Sequence, residues 1–266
     1  MKAQERLDLY PDPSPLKGEA GTILSMPQPH YARVLLKVSG EGLCAPGKTG
    51  IDGKELRKVA NEIKLVVDLG VQVCVVVGGG NIVRGAVIAK DTAIEETTGH
   101  YMGMLATVIN ALAVQDTLES LGVPTRVQSA LSVQNVCENF IRRRAIRHME
   151  KGRVVIFAGG TGNPFVTTDT GAALRAAEVR ADVLLKATKV DGVYTADPKT
   201  DPTATRIERL TYNEVIDKRL GVMDVSAVDL CQRSGIPIIV LDLKRPGNMR
   251  SVVQGEGQGT LIDAGK

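Results

Sequence analysis

The sequence predicts an α/β fold around a mostly parallel sheet, and three features of its 266 residues predict it. From residue 31 onward, short apolar runs alternate with longer stretches of helical periodicity, the rhythm of consecutive βαβ units. Several of those runs are continuously apolar, as strands covered on both faces must be. Several also end in glycine-rich loops, from which the next helical pattern leaves.

In chain order, strands are predicted at 33–38 (RVLLKV), 71–77 (VQVCVVV), 125–128 (TRVQ), 153–158 (RVVIFA), 182–187 (DVLLKA), 237–242 (PIIVLD) and 259–262 (GTLI). Helical spacing of apolar residues marks 53–70 and 101–122, which end at Gly70 and Gly122, where glycine suits a left-handed helix terminus. No internal repeat or linker interrupts residues 31–266, which are expected to form one domain. Residues 1–30 carry five of the twelve prolines and neither periodicity, so they read as a disordered tail. Met26 stands just before the first strand, and the natural chain is expected to start there.

A net charge of +3, from 33 basic and 30 acidic residues, supplies no global field for nucleic acid, so anion recognition must be local and the ligand small. The basic run 141–153 (IRRRAIRHMEKGR) has helical periodicity without interleaved aromatics and reads as a solvated face. The longest apolar runs are too short to cross a bilayer, and residues 1–30 lack the apolar core of a signal peptide. Cys44, Cys74, Cys137 and Cys231 are scattered, with only three histidines to join them, so no metal site is predicted and a reduced, cytoplasmic setting is expected.

In an open α/β sheet ligands collect beyond the carboxyl ends of the strands, so the loops there hold the candidate site. One segment near them, GLCAPGKTG at 42–50, fits the GxxxxGK[ST] phosphate-loop pattern with Lys48 and Thr49 in the diagnostic places. Its mechanics do not fit. Such a loop leaves a strand directly and opens a helix at its Lys and Thr, whereas here the strand ends near Val38 and the helix is predicted only from Gly53. The strand IIVLD (238–242) would be its magnesium-holding partner, so a phosphate-loop enzyme stays as the alternative reading.

Four loops carry more. In LLKVSGEG, Lys37 sits among apolar strand residues, a costly place for a cation unless an anion meets it, or unless it snorkels to water. VVVGGGNIVRG sets Gly78, Gly79 and Gly80 at a strand end, where bare N–H groups and the Arg84 fork suit phosphate oxygens; a plain tight turn is the alternative. FAGGTGNPFVTTDTGAALRA offers Thr161, Asn163, Thr167 and Thr168 as neutral donors and acceptors, with Asp169 near a helix start, where a simple capping role is the alternative. DVLLKATKVDGVYTADPKTDP brings Lys186, Thr188, Lys189, Asp191, Tyr194 and Asp197, either as an ordinary surface loop or as a purine and ribose site.

Together, LLKVSGE, VVVGGGNIVRG, MGMLATVINALA, GTGNPFVTTD, LLKATKVDGVYTADP and VMD, in this order across residues 32–263, resemble the bacterial uridylate kinase family of the amino acid kinase superfamily. The resemblance implies a three-layer α/β/α fold with a mainly parallel eight-stranded sheet. The monophosphate would lie toward the N-terminal half and ATP toward the C-terminal half. It implies ATP binding by Lys37, Val38, Ser39, Gly40, Gly80, Arg84, Thr188, Tyr194 and Asp197. It implies UMP binding by Gly79, by position 100, and by Gly160, Thr161, Gly162, Asn163, Pro164, Phe165, Val166 and Thr167. At position 100 the family commonly has Asp and this chain has His100, whose imidazole cannot always accept as a carboxylate does.

Lys37, Arg84, Lys186 and Asp169 are the expected catalytic residues, with Lys189 as the alternative to Lys186: the cations screen a migrating phosphoryl group and Asp169 holds them in place rather than taking a proton. Magnesium is expected to arrive with ATP, held by phosphate oxygens and water, so no protein ligand is named. The resemblance further implies a hexamer that responds to GTP and UTP, and it makes the phosphate-loop match a coincidence in a variable loop. A non-catalytic nucleotide sensor or anion-storage protein of the same fold, and a superfamily kinase acting on a carboxylate or carbamate, remain as rivals.

Overall fold

The structure, a computed structural model, describes residues 29–265 apart from 86, 88, 89, 91, 197 and 199. The expected tail up to residue 28, with Met26 in it, and the candidate Asp197 lie outside the described residues. His30, counted with the tail, already belongs to the fold, since its backbone N–H donates to the carbonyl of Val253 at 2.8 Å.

Each of the seven expected strands forms, as β1 (Arg33–Val38), β2 (Gln72–Val77), β3 (Thr125–Ser129), β5 (Val154–Ala158), β6 (Val183–Thr188), β10 (Ile238–Asp242) and β11 (Thr260–Asp263). Four shorter strands join them: β4 (Glu138–Asn139), β7 (Val193–Tyr194), β8 (Arg206–Ile207) and β9 (Arg209–Thr211). The main sheet runs β4-β3-β5-β2-β1-β6-β10-β11-β9, while β7 and β8 pair separately. Only β10 and β11 are antiparallel in it. Its nine strands exceed the implied eight because two- and three-residue pieces extend its edges.

The helices whose residues are all described are α1 (Gly53–Val67), α2 (Glu96–Ser120), α3 (Arg142–Glu150), α4 (Thr168–Val179), α5 (Tyr212–Asp217), α6 (Val225–Ser234) and α7 (Asn248–Val253). Alternation along β1 sorts them into layers. Val34, Leu36 and Val38 face α1, α2 and α7, whereas Leu35 faces the side where α3, α4, α5 and α6 pack. A helix layer thus covers each sheet face, which is why the central strands are apolar throughout.

The same alternation aims two lysines. Lys37 follows Leu35 by two residues and Lys186 follows Leu184 by two, so both turn toward the α4 face, and the parallel register pairs Lys37 with Lys186 across β1 and β6. Like charges side by side repel, so this placement demands an anion between them.

At the carboxyl edge, the loops after β1 and β2 touch. A Cβ at Gly40 would lie 2.4 Å from the Asn81 side-chain oxygen and 3.0 Å from the Gly80 nitrogen, so only glycine lets these loops meet. Likewise a Cβ at Gly79 would lie 2.5 Å from the Gly103 carbonyl of α2. Asn81 and Asn110 fix this corner through reciprocal amide hydrogen bonds of 3.1 and 2.7 Å, and their remaining N–H groups donate to Gly50 and Gly78. The pair is buried and fully satisfied, so it locks the glycine loop onto α2.

Candidate active site

The demanded anion is Asp169, on the first turn of α4. One carboxylate oxygen lies 2.8 Å from Lys37 Nζ and the other 2.7 Å from Lys186 Nζ. All three side chains are mostly buried, at 11%, 16% and 12% exposure for Lys37, Asp169 and Lys186. Burial alone pushes the Asp169 carboxyl up, but Lys37 and Lys186 outweigh it and hold the group below its ordinary value. Burial pushes Lys186 down, Asp169 raises it and Lys37 lowers it again, leaving its ammonium below the usual lysine range. Lys186 also donates to the carbonyl of Val222.

Thr167 caps α4, its hydroxyl accepting from the Thr170 N–H at 3.1 Å. Asp224 then ties two helix starts together: it accepts from the Thr167 hydroxyl, from the Thr170 hydroxyl at 2.7 Å, and from the Ala227 N–H at the start of α6 at 2.9 Å. Sequence reasoning placed Asp224 only within a family motif. An Asp directly before an apolar helical run signals a cap, and nothing in that signal announces a second helix.

Two cavities flank this centre. The first, about 320 Å³, is lined by Lys37, Val38, Ser39, Lys186 and Thr188, with apolar Val59, Ala187 and Leu243 behind them and Lys58, Lys189 and Lys244 at the rim. The second, about 630 Å³, is lined by Gly79, His100, Gly160, Asn163, Phe165, Val166 and Thr167, together with Gly103, Met104, Thr107 and Thr168. Both volumes suit ligands of nucleotide size.

Most of the expected residues line one cavity or the other. Gly80 and Arg84, expected on ATP, line the second cavity. Gly40 lines neither and acts by loop packing. Thr161, Gly162 and Pro164 belong to the loop around the second cavity without lining it. Tyr194 is outside the lining of the first, its hydroxyl donating to Asp191 at 2.6 Å while Arg206 pairs with the other Asp191 oxygen at 3.1 Å.

Phe165 has a φ of 64°, an unusual conformation for a bulky residue, and the residue is 65% exposed. It stands 4.7 Å from the ring of His100, whose Nε2 is buried without a hydrogen-bond partner among the described residues and lies 3.7 Å from Glu96. Strain of this kind persists where the surroundings impose it, commonly at ligand sites.

The phosphate-loop match fails on structure. Lys48 and Thr49 are exposed, no helix starts there, and neither residue lines a cavity described above. The start of α1 is occupied by its own cap, with Asp52 accepting from Lys54 and Glu55 at 2.9 and 3.1 Å, so a carboxylate already fills the anion position. Its supposed partner Asp242 instead accepts from the Lys244 N–H at 2.7 Å. Lys48→Ala is therefore expected to leave the turnover rate within roughly twofold of the parent in a steady-state assay.

Lysines gripped by a buried carboxylate, at the carboxyl edge of a parallel sheet and between two nucleotide-sized cavities, define a phosphotransferase. Comparison with known proteins narrows the class. Residues 32–242 match the amino acid kinase family. The chain is 59% identical over 232 residues to the uridylate kinase of Paramagnetospirillum magneticum, covering 87% of this chain and 96% of that protein. It is 54% identical over 238 residues to the chloroplastic uridylate kinase PUMPKIN of Arabidopsis thaliana, covering 90% and 70%. The crystal structure of UMP kinase from Bacillus anthracis superposes with a TM-score of 0.85 at 39% identity, covering 89% of this chain and 97% of that one. The chain belongs to the amino acid kinase family and, within it, to the uridylate kinases.

Proposed function

We propose that the protein transfers the γ-phosphoryl group of ATP to UMP, giving UDP and ADP. The observation that carries this reading is the Lys37–Asp169–Lys186 cluster flanked by the two cavities: both lysines line the first, and Thr167 and Thr168, next to Asp169, line the second. ATP occupies the first cavity, its base toward the apolar wall and its phosphates toward Lys37, Ser39 and Lys186. UMP occupies the second, with its phosphate near Thr168, and Arg84 reaches between the two ligands at the seam.

A phosphate oxygen of UMP attacks the γ-phosphorus, the bond to the β–γ bridging oxygen breaks, and ADP leaves with that electron pair. No side chain need remove a proton, because a phosphate monoester with second pKa of about 6 is already largely ionised at neutral pH. Asp169 is unsuited to that task in any case, since both its oxygens face ammonium groups. It positions the lysines, which neutralise charge spreading over the moving group.

The donor set bears on magnesium. Asp169 is engaged by lysines, and Glu41 by Arg84 and Lys189, while among the described residues no cluster of three or more acidic, His or Cys side chains could hold a metal. These residues fit an ion carried in by ATP, which would supply further charge neutralisation to the phosphates.

A coupled assay with ATP and magnesium across UMP, CMP, dUMP, aspartate, acetylglutamate and carbamate tests the proposal, and UMP is expected to be preferred. Tight ATP binding with no diphosphate formed would convert the reading to a nucleotide sensor. GTP stimulation and UTP inhibition belong to the same proposal and are read by adding each to the UMP arm.

The proposed assembly is a homo-oligomer, with a hexamer expected. Tyr101, Leu105 and Ile109 are 41%, 47% and 50% exposed at four-residue spacing along α2, a stripe that a second copy would cover, and light scattering reads the result. Among the described residues no helix is long and apolar enough to cross a membrane, and all four cysteines are free thiols, so the cytoplasm is the proposed setting.

A further inference from the structure

The cleft contains a second carboxylate held between two cations, which phosphoryl transfer as described leaves without a role. Glu41 stands in the short 3-10 turn (Gly40–Leu43) that leaves β1. One of its oxygens pairs with Arg84 from the glycine loop, and the other lies 2.9 Å from Lys189 Nζ, just beyond β6. Glu41 and Lys189 line the first cavity and Arg84 lines the second, so this carboxylate bridges the seam between them.

The arrangement repeats the one at Asp169, one acid shared by cations from two strand ends, with a decisive difference in exposure. The Asp169 side chain is 16% exposed and its lysines are equally enclosed, whereas Glu41, Arg84 and Lys189 are 37%, 58% and 55% exposed. Ion pairs so open to water are weak, and the longer Glu side chain has more rotatable bonds with which to swing away. Glu41 can therefore leave its partners, while Asp169 cannot without stranding two buried ammonium groups.

We propose that Glu41 is a removable counter-ion, which holds Arg84 and Lys189 across the cleft mouth until the oxygens of a nucleotide polyphosphate replace it. An anion that takes over both cations must present separated oxygens and more than one negative charge. A triphosphate does so. A lone monovalent anion gains too little to displace a tethered carboxylate, so Glu41 sets a threshold for occupancy of the mouth as well as holding its cations. This inference rests on the ATP-dependent kinase reading.

The test is calorimetric titration of the full chain and its Glu41→Gln variant with metal-free ATP and with inorganic tripolyphosphate, at low and at high salt. The variant is expected to bind both probes about fivefold tighter at low salt, the scale set by releasing two exposed ion pairs, with the gain shrinking as salt rises. In an Arg84→Gln background the same change is expected to gain less, which a purely structural effect of Glu41 would not produce. Unchanged or weaker binding by Glu41→Gln, in a chain whose parent binds ATP, overturns the proposal and leaves the kinase reading standing. A parent that binds no ATP removes both.

Discussion

Lys37→Ala lowers the rate of UDP formation by about 10²–10³, the range seen when one donor aimed at developing charge is removed. Lys37 points from β1 into the first cavity and onto Asp169, and no other residue of that strand can substitute, because its neighbours Leu36 and Val38 turn to the opposite sheet face. Asp169 keeps Lys186 in the variant, so the fold should survive and near-ultraviolet circular dichroism should match the parent. The measurement is kcat at saturating UMP with ATP varied. A variant with nearly full turnover would take Lys37 out of the chemistry, and an inactive Lys48→Ala beside it would return the phosphate-loop reading.

Asp169→Asn has the second large effect, and it acts on stability as well as rate. The substitution keeps shape but strips the charge that two buried lysines share, and breaking such an interaction by removing one partner costs about 3–5 kcal/mol. The influence of Asp169 that raises Lys186 also disappears, so Lys186 sheds its proton at a lower pH than in the parent and the alkaline limb of the rate profile moves down.

The acid limb of stability follows from the same carboxylate. Its folded pKa lies below the ordinary aspartate value, so the stabilisation it contributes is complete above that ordinary value and is lost as pH falls through the folded one. Urea midpoints should therefore decline more steeply on acidification below about pH 4 in the parent than in the Asn variant. Equal slopes would mean that Asp169 contributes no such linkage.

Much of this could be read from the chain, for identifiable reasons. The long strands announced themselves because β1, β2, β5, β6 and β10 are buried on both faces and need apolar residues at nearly every position. β4, β7, β8 and β9, of two or three residues each, are too short for any period to show. The start of α2 was missed by five residues because the segment before Tyr101 includes Gly99, which reads as a loop residue. There it serves a close crossing: a Cβ at Gly99 would meet the Gly85 carbonyl oxygen at 2.6 Å.

At the site, Lys37 and Lys186 were visible because a cation inside an apolar run violates the local pattern, and Asp169 because it stood among them. Glu41 and Asp224 broke no pattern. One is a polar residue in a turn and the other an ordinary helix cap, and their second roles exist only through contacts 43 and 57 residues away in sequence, at Arg84 and Thr167. Long-range partnership of that kind leaves no periodic trace.

Lys37 and Lys186 project from paired strands, not from the loops that form the rest of the cleft. Their separation is inherited from the interstrand spacing of about 4.8 Å, a constant of sheet geometry. The surrounding turns can accordingly lengthen, shorten or exchange residues without altering the distance between the two charges. Descent within such a scaffold is free to revise which acceptor is welcomed while the phosphate-handling device stays as it is.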